Sequence, residues 1–185
     1  MISTQANMKQ NVLYWVQNVM ANTYTQLYVH LVFAPQGGDS FIVPSIEQRL
    51  YRYIHGILNG MGHTLIAMDG MPDHIHMLIG YKPVHAISDI MREVKCQSAK
   101  FINEHKLLRG RFSWQKGFGA FSVSHRQLDT VANYIRNQKA HHRTLSFRNE
   151  YVTMLQHAQI DFHDQFIFTD TDLSVRNLQT GVKSE

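Results

Sequence analysis

The 185-residue sequence predicts an α+β domain of ferredoxin-like or RNA-recognition-like plan, an antiparallel sheet with helices on one face and an added C-terminal helix bearing a tyrosine. Three observations carry this prediction. Apolar segments alternate between strand and helix periods in the order strand, helix, strand, strand, helix, strand, helix. Turn residues separate them, with Gly70 and Pro72 placed as for a hairpin between the second and third strands. Composition fits one globular domain, with 44% hydrophobic and 17% charged residues.

Residues 1–23 form a polar N-terminal extension with one apolar patch, Val12 to Val16, and carry no assignable chemistry. A domain is expected over residues 24–168, followed by a tail over 169–185. The first strand runs through Val29, Leu31, Val32 and Phe33 and ends at the turn Pro35-Gln36-Gly37-Gly38-Asp39. Ser45-Ile46-Glu47-Gln48 reads as a capping box, opening a helix that sets Leu50, Tyr53, Ile54, Ile57, Leu58 and Met61 on one face. A second strand spans residues 64–68 and a third spans 75–79. Residues 83–105 follow as a helix, with Ile87, Ile90, Met91, Val94, Phe101 and Ile102 at helical spacing. Residues 114–123 mix glycine with aromatics and read as a bent strand. Ser124-His125-Arg126-Gln127 reads as a second capping box, launching a helix to about His142, and a short helix is expected from Phe147 to about His157.

The third strand begins at Asp73-His74-Ile75-His76-Met77, and side chains two apart on a strand share a face. His74 and His76 therefore project together, away from Ile75 and Met77, as half of a metal site would. With 12 histidines in the chain, such a pair also arises by accident. On the later helix, Tyr134 and Gln138 are four apart and lie at the margin of the apolar stripe formed by Leu128, Val131, Ala132 and Ile135. The plain alternative is a tyrosine half-buried at a core margin. Combined, the pieces suggest a divalent cation held by His74, His76 and the Gln138 amide, with Tyr134 one helical turn away as nucleophile on a phosphodiester.

Several classes are excluded. A single cysteine, Cys96, rules out a disulfide framework and fits a reducing compartment. No apolar run reaches the length of a membrane span, and no secretory signal pattern is present, which points to the cytoplasm and to no membrane partner. Residues 24–157 hold 15 Lys and Arg against 9 Asp and Glu, whereas residues 158–185 hold 2 against 5. A basic body with an acidic tail suggests a polyanion partner. Arg92, Lys95, Lys100, Arg109, Arg111 and Lys116 form the densest basic stretch and are candidate DNA contacts, a solvated helix face being the plain alternative.

The chain resembles the single-tyrosine transposases of the smallest bacterial insertion sequences, the IS200-like transposases of the HUH endonuclease superfamily. The resemblance rests on residues 24–33, on Met71-Pro72-Asp73-His74-Ile75-His76, on Trp114 to Phe118 with Phe121-Ser122-Val123, on Tyr134-Ile135-Arg136-Asn137-Gln138 with His141-His142, and on Phe147-Arg148-Asn149-Glu150-Tyr151. It implies cleavage and rejoining of single-stranded DNA at hairpin-marked element ends through a 5′-phosphotyrosine. It implies His74, His76 and Gln138 as metal ligands, Tyr134 as nucleophile, Mg2+ or Mn2+ as cofactor, and a homodimer. Asp73, His30, His141 and His142 also fit the pattern but receive no catalytic role. The loop after the first strand lacks the basic residues many relatives carry there, and residues 1–22 and 169–185 fall outside the resemblance. Three alternatives stay open: a catalytically silent hairpin-binding protein, a metal-dependent hydrolase using water, and a domesticated relative that processes repeats.

Overall fold

The computed structural model describes residues 24–37, 41–142 and 146–168. The N-terminal extension and the acidic tail expected from the sequence lie outside the described residues. Four strands form one antiparallel sheet in the order β2-β3-β1-β4, with β1 at Leu27–Phe33, β2 at Thr64–Met71, β3 at His74–Tyr81 and β4 at Gly119–Val123. Two-residue alternation divides each central strand between two faces. Val29, Leu31 and Phe33 of β1 join Ile75, Met77 and Ile79 of β3 in one core. Val32 and Leu78 turn to the other side, where they meet later elements.

Helices α1 (Pro44–Gly60) and α2 (Ile87–Glu104) close the first face. Their apolar stripes, Ile46, Leu50, Ile54 and Leu58 on α1 and Ile90, Met91, Val94 and Ile102 on α2, pack into the same core. This is the ferredoxin-like plan the sequence predicts. The second face is covered by α3 (Leu128–Arg136), α4 (Gln138–His141) and α5 (Phe147–His157). Ala132 and Ile135 of α3 rest on Ala67 and Leu78, while Phe147, Tyr151 and Leu155 of α5 rest on Val32 and Ala34. Ile135 is fully buried there, a burial that stabilises by roughly 1.5–3 kcal/mol.

Four local expectations change. The Ser45 capping box does not form, because α1 already starts at Pro44, whose fixed φ suits the first helical turn, and Val43 is the cap residue. The bent strand is shorter than expected, since Gly117 adopts φ +77° and only residues from Gly119 pair with β1; Trp114 instead makes a bridge with Pro35. The Ser124 box launches a 3-10 turn, His125–Gln127, in which Ser124 Oγ donates to Gln127 Oε1 rather than capping the backbone. The helix expected to reach His142 breaks at Asn137, between α3 and α4. At the break, both the backbone N–H and the side-chain Nδ2 of Asn137 donate to the Asn133 carbonyl, at 3.1 and 2.9 Å.

The β2–β3 hairpin is as expected but tighter. Met71 pairs with His74, leaving only Pro72 and Asp73 in the turn, so both histidines lie inside β3. Gly70 makes this closure possible: a Cβ on it would stand 2.1 Å from the carbonyl oxygen of His74.

Candidate metal and tyrosine site

His74 and His76 project from β3 onto the sheet face under α3–α5, and both are fully buried. The outer nitrogen of each ring is engaged. His74 Nδ1 lies 2.8 Å from Asp73 Oδ1, and His76 Nδ1 lies 2.9 Å from His30 Nε2 on β1. Both Nε2 atoms are thereby aimed at the same interior point. The ring of His74 is stacked on Phe147 of α5, centroids 4.1 Å apart and planes within 3°. Burial lowers the pKa of His76 to about 4 against the opposing pull of the Glu150 carboxylate, whose Oε2 lies 3.4 Å from its Nε2. Burial, then neighbouring His76, lowers that of His30 to about 3. Both rings are held neutral, the form in which imidazole offers a lone pair.

Gln138 completes one side. It is fully buried at the first position of α4, directly after the break at Asn137. Its amide Nε2 donates to Glu150 Oε1 at 3.1 Å, which turns its oxygen to within 3.2 Å of His74 Nε2. His74 Nε2 and the Gln138 amide oxygen, both ligand-type atoms, thus face each other in the buried interior. His76 Nε2 is buried without a hydrogen bond. Converging ligand-type atoms and a buried nitrogen with no hydrogen-bond partner are what a cation site presents, and His74, His76 and Gln138 fit a divalent metal on that ground.

Tyr134 reaches the same point from α3. Its ring meets His76 edge-on, centroids 5.8 Å apart, and its hydroxyl donates to Glu150 Oε1. Burial first, and the Glu150 carboxylate second, push the phenol pKa well above its usual value. All four residues expected from the sequence thus converge within a single chain.

Sequence reasoning missed Glu150. It is 2% exposed, and it touches Tyr134, Gln138, His142, His76 and His74. Burial alone would raise its pKa; the hydrogen bond with His142 and the neighbouring His76 imidazole outweigh that and hold it well below the usual carboxylate range. A signal was present in the sequence. On α5 the buried positions are Phe147, Glu150, Tyr151 and Leu155, so a carboxylate sits within an apolar stripe.

The basic residues proposed for DNA are not brought to this site. Lys95 Nζ donates to the carbonyls of Gln115, at 2.8 Å, and Gly117, and so ties down the loop before β4. Arg92 pairs with Asp89 at 2.8 Å, and Lys100 with Glu104 at 3.7 Å. Lys100, Arg109 and Arg111 line an open groove of about 1080 Å³ beside the C-terminal half of α2, in the helix layer across the sheet from the histidines. Lys116 is exposed in the loop that Lys95 holds.

The four-stranded antiparallel sheet with its helices is a fold shared with solved tyrosine transposases. Residues 23–138 match the family described as transposase IS200-like, and the chain belongs to that family. It is similar to the ISDra2 transposase TnpA of Deinococcus radiodurans, 28% identical over 118 residues, which cover 61% of this chain and 84% of the relative. A crystal structure described as a transposase, from Deinococcus radiodurans R1, superposes with a TM-score of 0.51 at 26% identity, covering 64% of this chain and 95% of the other. A REP-associated tyrosine transposase bound to a REP hairpin shares the fold, with a TM-score of 0.51 at 17% identity over 68% of this chain and 74% of its own.

Proposed function

We propose that residues 24–168 act as a single-tyrosine transposase domain that cleaves and rejoins single-stranded DNA at hairpin-marked ends through a covalent 5′-phosphotyrosine on Tyr134. The observation that carries the reading is the convergence of Tyr134, His74, His76 and Gln138 on one buried point of one chain. His74, His76 and Gln138 would hold a divalent cation, Mg2+ or Mn2+, and such a cation supplies Lewis-acid polarisation of a phosphodiester and neutralises charge as it develops.

The remaining steps belong to the chain. Tyr134 Oη gives up its proton and forms a bond to phosphorus while the P–O3′ bond breaks, and the departing oxygen takes up a proton in its place to leave a free 3′ hydroxyl. Attack by a second 3′ hydroxyl on the phosphotyrosine reverses the exchange and restores the phenol, so bond energy is retained without a nucleotide cofactor. The sheet and α3 fix the tyrosine ring against His76, which orients the phenol oxygen before DNA arrives. The family resemblance also supports a homodimer. Tyr134 reaches the histidines of its own chain, so in this reading each protomer supplies a whole site. No helix among the described residues is long and apolar enough to cross a membrane. A hairpin is the ligand of the REP-associated transposase that shares the fold, and a hairpin is the substrate to try first.

The test is a denaturing gel of protein with labelled single-stranded hairpins from the DNA flanking the gene, with Mn2+, beside Tyr134→Phe. A metal-dependent covalent band lost in the variant is expected. Cleavage without a covalent band would replace the tyrosine by water, and binding without cleavage of any flanking hairpin would leave a silent binding protein.

A further inference from the structure

We infer that Glu150 and His142 are metal ligands in their own right, joining His74 and His76, so that the metal site of this chain extends onto α5, beyond the segment that defines its family. The inference rests on the reading that the histidine pair holds a divalent metal.

The geometry assigns the two oxygens of Glu150 to different neighbours. Oε2 lies among imidazole nitrogens: 2.8 Å from His142 Nε2, 3.4 Å from His76 Nε2 and 3.7 Å from His74 Nε2. Oε1 faces the Tyr134 hydroxyl, the Gln138 amide at 3.1 Å and His141 Nε2 at 3.8 Å. One ligand atom from each of His74, His76, His142 and Glu150 falls within 4.8 Å of all the others. Ligands sharing a cation at bond lengths of about 2.1 Å stand roughly 3–4.2 Å apart, so the cluster needs only sub-ångström adjustment to close on an ion. The outer shell is already built, since Asp73 and His30 hold the far nitrogens of the histidine pair.

The alternative is a carboxylate that neutralises three imidazoles for stability alone. That role does not require the three Nε2 atoms to face one oxygen, nor the His76 nitrogen to be buried without a hydrogen bond. With Glu150 as ligand, one carboxylate links the cation through Oε2 to the nucleophile through Oε1. The position of Tyr134 then depends on the occupied metal site.

The experiment uses the full-length chain and Mn2+ alone, without DNA. Mn2+ affinity is measured from the free-ion electron paramagnetic resonance signal for wild type, Glu150→Gln, His142→Gln and His76→Ala, each checked for a folded melting transition. Glu150→Gln and His142→Gln are expected to weaken Mn2+ binding at least tenfold. Pulsed spectra of the wild type, which need no variant to fold, are expected to show three coupled imidazole nitrogens, falling to two in His142→Gln. Unchanged affinity in folded Glu150→Gln, with loss in His76→Ala, would overturn this inference and leave the histidine-pair site standing. Two coupled nitrogens in the wild type would remove His142. Unchanged binding in His76→Ala would instead overturn the underlying metal reading.

Discussion

The Tyr134 hydroxyl donates to Glu150 Oε1, a bond between α3 and α5 that ties the proposed nucleophile to the only buried carboxylate among the described residues. A hydrogen bond to a charged acceptor contributes about 1.5–3 kcal/mol, but Glu150 keeps Gln138 and His142 when the phenol is gone. Tyr134→Phe is therefore expected to fold, with a melting temperature lower by a few degrees, and to bind hairpin DNA nearly as wild type. The covalent adduct should vanish. Adduct at wild-type yield would remove Tyr134 from the chemistry.

Metal choice should follow the donor set. Imidazole nitrogens suit Mn2+ and later transition ions better than Mg2+, whose preferred ligands are oxygens. Calorimetric titration of the metal-free chain is expected to give Mn2+ binding tighter than Mg2+ by an order of magnitude or more. Equal affinities would mean that oxygen ligands dominate.

Gly70→Ala tests the hairpin that carries the histidines. The new Cβ would meet the His74 carbonyl at 2.1 Å, and backbone on both sides leaves little room to yield. A loss of roughly 1–3 kcal/mol is expected from overpacking, more if the turn must open. Chemical denaturation would read this, and Mn2+ affinity should fall with it because His74 starts β3. A variant as stable as wild type would show that the turn can shift freely.

Alkaline pH should destabilise the chain through Tyr51. Burial, then the nearby charges of Glu47 and Asp69, raise its pKa far above 10. A folded-state pKa above the unfolded value gives stability that is intact below about pH 10 and lost as pH climbs further, by about 1.4 kcal/mol per pH unit for one group. Urea midpoints between pH 9 and 11 should fall less steeply in Tyr51→Phe than in wild type. Parallel slopes would show that the Tyr51 phenol ionises equally in both states.

Salt dependence separates an arginine and a lysine that look alike in sequence. Arg109→Ala is expected to lower the slope of log affinity against log salt by about 0.7 if it meets a single-stranded phosphate. Lys95→Met should leave that slope alone and lower the melting temperature, since Lys95 is bonded to the carbonyls of Gln115 and Gly117. A reduced slope in Lys95→Met would return it to the DNA surface.

The sheet was legible in the sequence because strand periodicity is local: alternation at residues 29–33 and 75–79 states which side chains share a face, and His74 and His76 followed from it. Tyr134 and Gln138 were legible as a pair by helical spacing, although the helix breaks between them at Asn137. At that break the Asn133 carbonyl accepts from both the backbone and the side chain of Asn137, a local detail that periodicity does not register. Glu150 was quoted within a matching stretch and given no role, because its partners come from β3, α3 and the α4 end. The partners of Lys95 were illegible for the same reason: a count of charges along the chain contains no carbonyls from residues 115 and 117.

Glu150 stands twelve positions past the last residue of the matched family segment, yet it touches that segment's histidines, tyrosine and glutamine. In evolutionary terms the two stretches are one heritable unit. A lineage that replaced Glu150 with a neutral residue would leave three clustered imidazoles without their anion, and compensation would be expected at positions 74, 76 or 142. Drift at residue 150 is thus coupled to drift in the hairpin, and recombination that exchanged the C-terminal helix alone would import a mismatched half of the centre.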